Sequence, residues 1–141
     1  MTASALPPGS TIGILGGGQL GRMLALAAGR LGFDVAILDP EPNGPASRVA
    51  AHTVVGAYDD PEALAQLAKL ADVVTYEFEN VPALAVERLT QLGVLVAPGA
   101  RALAVITLAA GLHQRRRAER GDRLAGGLAI VGGDEGDRRG L

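Results

Sequence analysis

No cysteine occurs anywhere in the 141 residues, so disulfides and thiolate chemistry are excluded and the redox compartment stays open. Aromatic residues make up only 3% of the chain; a core built without them must be packed with aliphatic side chains. Long hydrophobic runs are missing as well. The longest apolar stretches fall far short of the roughly 20 residues needed to cross a bilayer. The opening Met-Thr-Ala-Ser-Ala-Leu-Pro-Pro-Gly-Ser has neither a basic start nor an apolar centre, so it does not read as a signal peptide. A cytoplasmic protein without a membrane partner is the default expectation. A strong charge of either sign is also lacking, the formal net charge being −2. That balance conceals an asymmetry: of 13 basic residues, seven lie after Gly111, namely Arg115, Arg116, Arg117, Arg120, Arg123, Arg138 and Arg139. Five acids share the same segment, which makes it nearly neutral. With no aromatic residue there to stack on bases, a solvated tail is expected and nucleic-acid binding is not.

What the chain does have is an abundance of small and aliphatic residues, 48% of it being hydrophobic, arranged in regular alternation from Thr11 to Pro98. Ile12–Leu15 is a short apolar run that predicts a strand. Gln19–Leu31 follows a helical period with Leu20, Met23, Leu24 and Ala27 on one face, and Gly32 is placed to end it. Asp34–Asp39 predicts a second buried strand, and Pro40, Pro42, Asn43, Gly44 and Pro45 a rigid loop. A short helix is expected over Ser47–Ala51, then a strand over His52–Val55. Asp60, Pro61 and Glu62 open a helix with an N-cap, a proline in the first turn and an acid near the positive end of the dipole. That helix runs to about Leu70. Ala71–Tyr76 predicts a fourth strand, Pro82–Leu92 a helix and Val94–Val96 a fifth strand. Continuously apolar strands separated by amphipathic helices imply an α/β fold, a parallel sheet covered on both faces. Right-handed crossovers then give a Rossmann-like doubly wound sheet, with ligands at the carboxyl ends of the strands.

Three glycines, Gly16, Gly18 and Gly21, stand at the G-x-G-x-x-G spacing between the first strand and the first helix. Glycine allows a tight turn with positive φ, and its missing Cβ lets another group approach the backbone. The free amides and positive dipole at a helix start suit a phosphate. Asp39, about twenty residues on and at the end of the second strand, fits the ribose-binding acid of an NAD- or FAD-binding oxidoreductase domain. Against that alternative, Gly17 and Gln19 suit a compact monophosphate pocket equally well, and nothing downstream resembles a hydride-transfer site.

Four segments occur in a discriminating order: Gly16-Gly17-Gly18-Gln19-Leu20-Gly21-Arg22-Met23, Leu38-Asp39-Pro40, Pro45-Ala46-Ser47, and Thr75-Tyr76-Glu77-Phe78-Glu79-Asn80-Val81-Pro82. Together they resemble the 5-(carboxyamino)imidazole ribonucleotide synthases, the ATPase subunits of phosphoribosylaminoimidazole carboxylase, in the ATP-grasp superfamily. The resemblance runs from about Thr11 to about Val105. It implies the N-terminal pre-ATP-grasp domain of a ligase of purine biosynthesis. Such enzymes use ATP and bicarbonate to carboxylate aminoimidazole ribonucleotide, act with magnesium and are usually homodimers.

By that resemblance the substrate-binding residues are Gly18, Gln19, Leu20 and Glu77, with Gly16, Gly17, Asp39 and Glu79 in supporting positions. The amides of Gln19 and Leu20 can hold the substrate phosphate, and the Glu77 carboxylate can accept hydrogen bonds from ribose hydroxyls or the amine. Capping or ion pairing is the alternative role for Glu77. Asp39 either reaches the ligand or caps a loop, and Arg22 is either a surface residue or a neighbour of the phosphate. His52 and His113 lack companions for a metal site or a triad. No catalytic residue and no metal ligand is assigned.

The resemblance stops near Val105. In the family, a stretch resembling Gln-Asp-Arg-Leu-x-x-Lys, whose arginine contacts ATP, follows the segment matching Pro98–Ala104. Here the chain reads Val105-Ile106-Thr107-Leu108-Ala109-Ala110-Gly111, and nothing matches the central and C-terminal ATP-grasp domains. The expected organisation is a flexible leader over 1–10, a Rossmann-like substrate-binding domain over 11–105 and an irregular Arg/Gly-rich tail over 106–141. The tail holds eight glycines in its last 31 residues and no sustained period, so no second core is expected. Its composition and abrupt onset suggest, as a hypothesis, out-of-frame translation of a GC-rich coding region. An intact parent frame in the nucleotide sequence beyond the codon for Val105 would rule that out. The ATP- and magnesium-binding residues are then absent, and this truncated chain is expected to be inactive as a synthase by itself.

Overall fold

The computed structural model describes residues 5–78 and 81–99. Five parallel strands form one sheet: β1 (Thr11–Leu15), β2 (Asp34–Asp39), β3 (His52–Val55), β4 (Val73–Tyr76) and β5 (Leu95–Val96). Three helices connect them, α1 (Gln19–Arg30), α2 (Pro61–Leu70) and α3 (Ala83–Gln91). The strand order is β3-β2-β1-β4-β5, the doubly wound arrangement in which the direction of winding reverses beside β1. Register places Leu15 opposite both Leu38 of β2 and Tyr76 of β4. The residues that follow these three strands therefore emerge side by side at one edge.

Strand alternation divides the core between the two faces. On one face, Ile14, Val35 and Ile37 pack with Ala25 and Ala28 of α1 and with Ala46. On the other, Leu15, Ala36, Leu38 and Val74 pack with Leu64 and Leu67 of α2 and Val86 and Leu89 of α3. Leu64, Leu67 and Leu89 have no exposed surface, and burying each stabilises the fold by about 1.5–3 kcal/mol.

Several expectations need correction. The apolar stripe of α1 that the helical period selects is not its buried face. Leu20, Met23 and Leu24 are 50%, 59% and 38% exposed, and Ala27 is exposed too. The helix instead buries Gly21, Ala25 and Ala28, because small side chains let its axis come close to the sheet. Residues 47–51 form no helix either. They belong to a turn in which the Val49 and Ala50 amides both donate to the Ala46 carbonyl at 3.1 Å.

The remaining boundaries follow local chemistry. Asp60 caps α2 by accepting from the Glu62 amide at 3.0 Å, with Pro61 as the first helical residue. Gly32, at φ +84°, ends α1, while the Phe33 amide reaches back to the Ala28 carbonyl at 3.0 Å, a glycine-terminated helix stop. The fourth strand starts at Val73 rather than Ala71, since Ala71 still donates to Leu67 as the end of α2. Among the described residues no helix is long and apolar enough to cross a membrane.

Candidate functional site

Helix α1 begins without help from its own sequence. Its N-cap is Gly18, which has no side chain to cap with, and its first turn contains no acid. An unassisted helix start leaves several amides without acceptors, next to the positive end of the dipole. The partner comes from the end of β4. Glu77 Oε1 accepts from the Gly18 amide at 2.9 Å, and Glu77 Oε2 accepts from the Gly21 amide. The carboxylate thus spans the first turn and leaves the two amides between, Gln19 and Leu20, without a protein acceptor among the described residues. Both residues are exposed.

The glycine spacing is what admits this carboxylate. Gly16 sits at φ +114°, where other residues are strained. A Cβ on Gly21 would lie 2.6 Å from the Gly16 carbonyl oxygen and 3.3 Å from Glu77 Oε2. At Gly16 and Gly18 the group that approaches most closely is the Glu77 side chain.

A second acid completes the turn. Asp39, 8% exposed at the end of β2, accepts through Oδ2 from the Gly17 amide at 2.6 Å and from the Tyr58 hydroxyl at 2.7 Å. Its Oδ1 accepts from the Glu41 amide at 2.7 Å. These are charge-assisted bonds, stronger than neutral ones. Both oxygens are engaged, so Asp39 secures the glycine turn and the loop after β2. Burial, then the hydrogen bond to Asp39, pushes the Tyr58 pKa well above that of an ordinary phenol. The ring of Tyr58 packs on Phe78 with centroids 4.9 Å apart. Next to Glu77, the Tyr76 hydroxyl is buried with no partner among the described residues, and burial raises its pKa also.

The loop after β2 closes the other side of the turn. The Ala46 amide donates to the Gly17 carbonyl at 3.0 Å, and the Ser47 hydroxyl to the Gly44 carbonyl at 2.7 Å. Arg22, on α1, donates from Nη1 to the Pro45 carbonyl at 3.1 Å. A cleft of about 350 Å³ lies here, lined by Gln19, Arg22, Asn43, Pro45 and Arg48.

Of the residues singled out from sequence, Gly16, Gly17, Gly18, Gln19, Leu20, Asp39 and Glu77 come together at the carboxyl edge of the sheet. Glu79 and His113 lie outside the described residues. His52 is exposed at the start of β3, on the edge strand opposite β5. Sequence reasoning missed Tyr58 and Arg48. Tyr58 carries no motif, its only signal being a position just after a predicted strand. Arg48 sits in the segment wrongly expected to be a helix. Among the described residues no group of three or more His, Cys, Asp or Glu is placed to hold a metal ion, and the two edge acids are already tied to amides.

A parallel sheet in this strand order, with a glycine turn and strand-end acids at one edge, defines a Rossmann-like doubly wound α/β domain. Residues 9–107 match the family described as Ribonucleotide synthetase preATP-grasp domain, and the chain belongs to that family. It is 55% identical over 100 residues to the N5-carboxyaminoimidazole ribonucleotide synthase of Brucella melitensis, covering 71% of this chain and 28% of that protein. Among solved structures, an ADP complex of N5-carboxyaminoimidazole ribonucleotide synthetase aligns with TM-score 0.69 and 47% identity, over 74% of this chain and 27% of that one. The Aspergillus clavatus synthase in complex with ADP and 5-aminoimidazole ribonucleotide aligns with TM-score 0.62 and 42% identity, over 69% and 26% of the two chains. The chain thus spans about a quarter of the length of these relatives.

Proposed function

We propose that residues 11–105 are the ribonucleotide-binding part of an ATP-dependent synthase that carboxylates aminoimidazole ribonucleotide with bicarbonate in purine biosynthesis. The supporting observation is the Glu77 carboxylate held across the Gly18 and Gly21 amides beside the uncommitted amides of Gln19 and Leu20. An acid tied down by two backbone donors is pre-positioned, and its remaining lone pairs can accept from ribose hydroxyls or the substrate amine. Gln19 and Leu20 amides then face the ligand, while Gly16, Gly17 and Asp39 keep the turn in shape. ATP and magnesium belong to the complete family reaction, for which these residues make no provision. A cytoplasmic setting and a homodimer complete the reading.

The NAD or FAD alternative fares worse on the same geometry. A pyrophosphate would compete with Glu77 for the Gly18 and Gly21 amides, and the acid expected on its ribose, Asp39, is buried with both oxygens bonded.

Thermal-shift titration of the purified chain with aminoimidazole ribonucleotide, ribose 5-phosphate, NAD and FAD tests the assignment. A ligand at one hundred times its Kd stabilises by about 2.7 kcal/mol. Stabilisation by the two monophosphates, abolished in Glu77→Gln, is expected; a response to NAD or FAD alone would hand the site to the dinucleotide reading.

A further inference from the structure

We propose that Tyr58 is a positioning residue for ribonucleotide binding: a single side chain that braces Asp39 and the strand end bearing Glu77, and through them the glycine turn. The inference rests on the ribonucleotide reading and adds a residue that acts on the site through its two acids. Three observations carry it.

First, Tyr58 meets both strand ends. Its hydroxyl donates to Asp39 Oδ2 at 2.7 Å, the same oxygen that accepts from the Gly17 amide at 2.6 Å. Its ring packs on Phe78 with centroids 4.9 Å apart and planes tilted by 51°, and Phe78 directly follows Glu77 in the chain. Asp39 ends β2 and Glu77 follows β4, strands that lie on opposite sides of β1. One residue therefore reaches across the turn from acid arm to acid arm.

Second, the Asp39 carboxylate has little room to be misplaced. A Cβ on Gly17 would lie 2.8 Å from Asp39 Cβ, so the acid sits hard against the turn. With Oδ1 held by the Glu41 amide at 2.7 Å, the Tyr58 hydroxyl on Oδ2 fixes the remaining rotation of the carboxylate. Burial, the hydrogen bond to Asp39 and the charges of Asp39 and Glu77 all keep the phenol protonated, so it remains a donor. Binding costs less when a site is already held in its bound shape.

Third, the brace is anchored away from the turn. Tyr58 lies between β3 and α2, where the Gly56 amide donates to the Asp39 carbonyl at 3.2 Å and the Asp60 amide to the Ala57 carbonyl at 3.1 Å. Tyr58 and Phe78 both pack against the core cluster that contains Leu64, Leu67 and Leu89. A side chain seated on the α2 and α3 face thus holds the turn that starts α1 on the opposite face.

The test uses the full chain and three variants, Tyr58→Phe, Tyr58→Leu and Glu77→Gln, in isothermal titration with ribose 5-phosphate. Proton–nitrogen NMR spectra of the unliganded chains accompany it. Tyr58→Phe keeps the ring and loses the hydroxyl. It should weaken ribose 5-phosphate about threefold, part of the effect of one hydrogen bond, and move the Gly17 amide resonance. The Gly18 and Gly21 amides, which report on Glu77, should stay in place. Tyr58→Leu removes the ring contact as well; it should move all three resonances and weaken binding about tenfold, with phenylalanine as the partial rescue. A role in stability alone would lower the unfolding midpoint without changing either readout. If Tyr58→Phe binds within about 1.5-fold of the parent while Glu77→Gln abolishes binding, the brace is refuted and the ribonucleotide reading survives. Tyr58→Leu binding no more weakly than Tyr58→Phe refutes the ring contact's share, and with it the brace. Should Tyr58→Leu fail to fold, Tyr58→Phe decides by itself. If the parent chain does not bind ribose 5-phosphate, both readings fall together.

Discussion

The two faces of the sheet are built to different ends. Beneath α2 and α3 the core is dominated by leucine and valine, with every leucine fully buried. Beneath α1 it is made of glycine and alanine from the helix against isoleucine and valine from the strands, and the large side chains of α1 point outward. The leucine-rich face gains stability from buried volume. The alanine-rich face gains proximity, bringing the start of α1 against the strand ends where Glu77 can span its first turn. A domain of this size can thus assign cohesion to one layer and positioning to the other.

Substitutions separate these roles. The largest effect is expected at Leu64→Ala, which opens a cavity under α2 and should cost about 2–5 kcal/mol in denaturant unfolding. A cost below about 1 kcal/mol would mean that the leucine layer is not what holds the fold together. Next comes Gly21→Ala. Its methyl group would meet the Gly16 carbonyl oxygen at 2.6 Å, so α1 must lift, at about 1–3 kcal/mol, and ribose 5-phosphate binding should be lost with it. Unchanged binding in this variant would show that close approach of α1 is dispensable.

Tyr58→Phe should be milder, about 0.5–1.5 kcal/mol near neutral pH for one hydrogen bond, and its pH dependence is diagnostic. The folded phenol holds its proton more tightly than the unfolded one, whose pKa is about 10. The Tyr58 contribution is therefore complete below about pH 10 and declines as the pH climbs through the raised folded value, because ionisation then favours the unfolded chain. Alkaline unfolding curves of the parent should fall more steeply than those of the variant; parallel curves would argue against the Tyr58–Asp39 bond. The smallest effect belongs to Met23→Lys on the outward face of α1, within about 0.5 kcal/mol. A larger loss would show that something covers this face.

The sheet was legible because five apolar runs and their turn residues are local signals, each readable within a few positions. Asp60-Pro61-Glu62 and Gly32 marked helix ends for the same reason. The buried face of α1 was not legible from hydrophobicity, which ranks Leu20, Met23 and Leu24 above Gly21, Ala25 and Ala28. The available signal was the spacing of small residues continuing from the last glycine of the turn, which marks close packing rather than bulk. In the site, the glycines and the two strand-end acids could be picked out one by one. That the acids bond to those glycines is a tertiary fact. So is the recruitment of Tyr58, which depends on β3 lying beside β2.

The bonds that shape the glycine turn join residues 22, 59 and 56 positions apart, so no local segment can form it in isolation. Contacts of such high sequence separation form slowly and late, after loop closure has been overcome. The turn should acquire its native geometry only when β4 has docked beside β1. A ligand that selects this arrangement would then act on the cell's pool of nascent chains as well as on the finished protein, drawing partly assembled molecules toward completion.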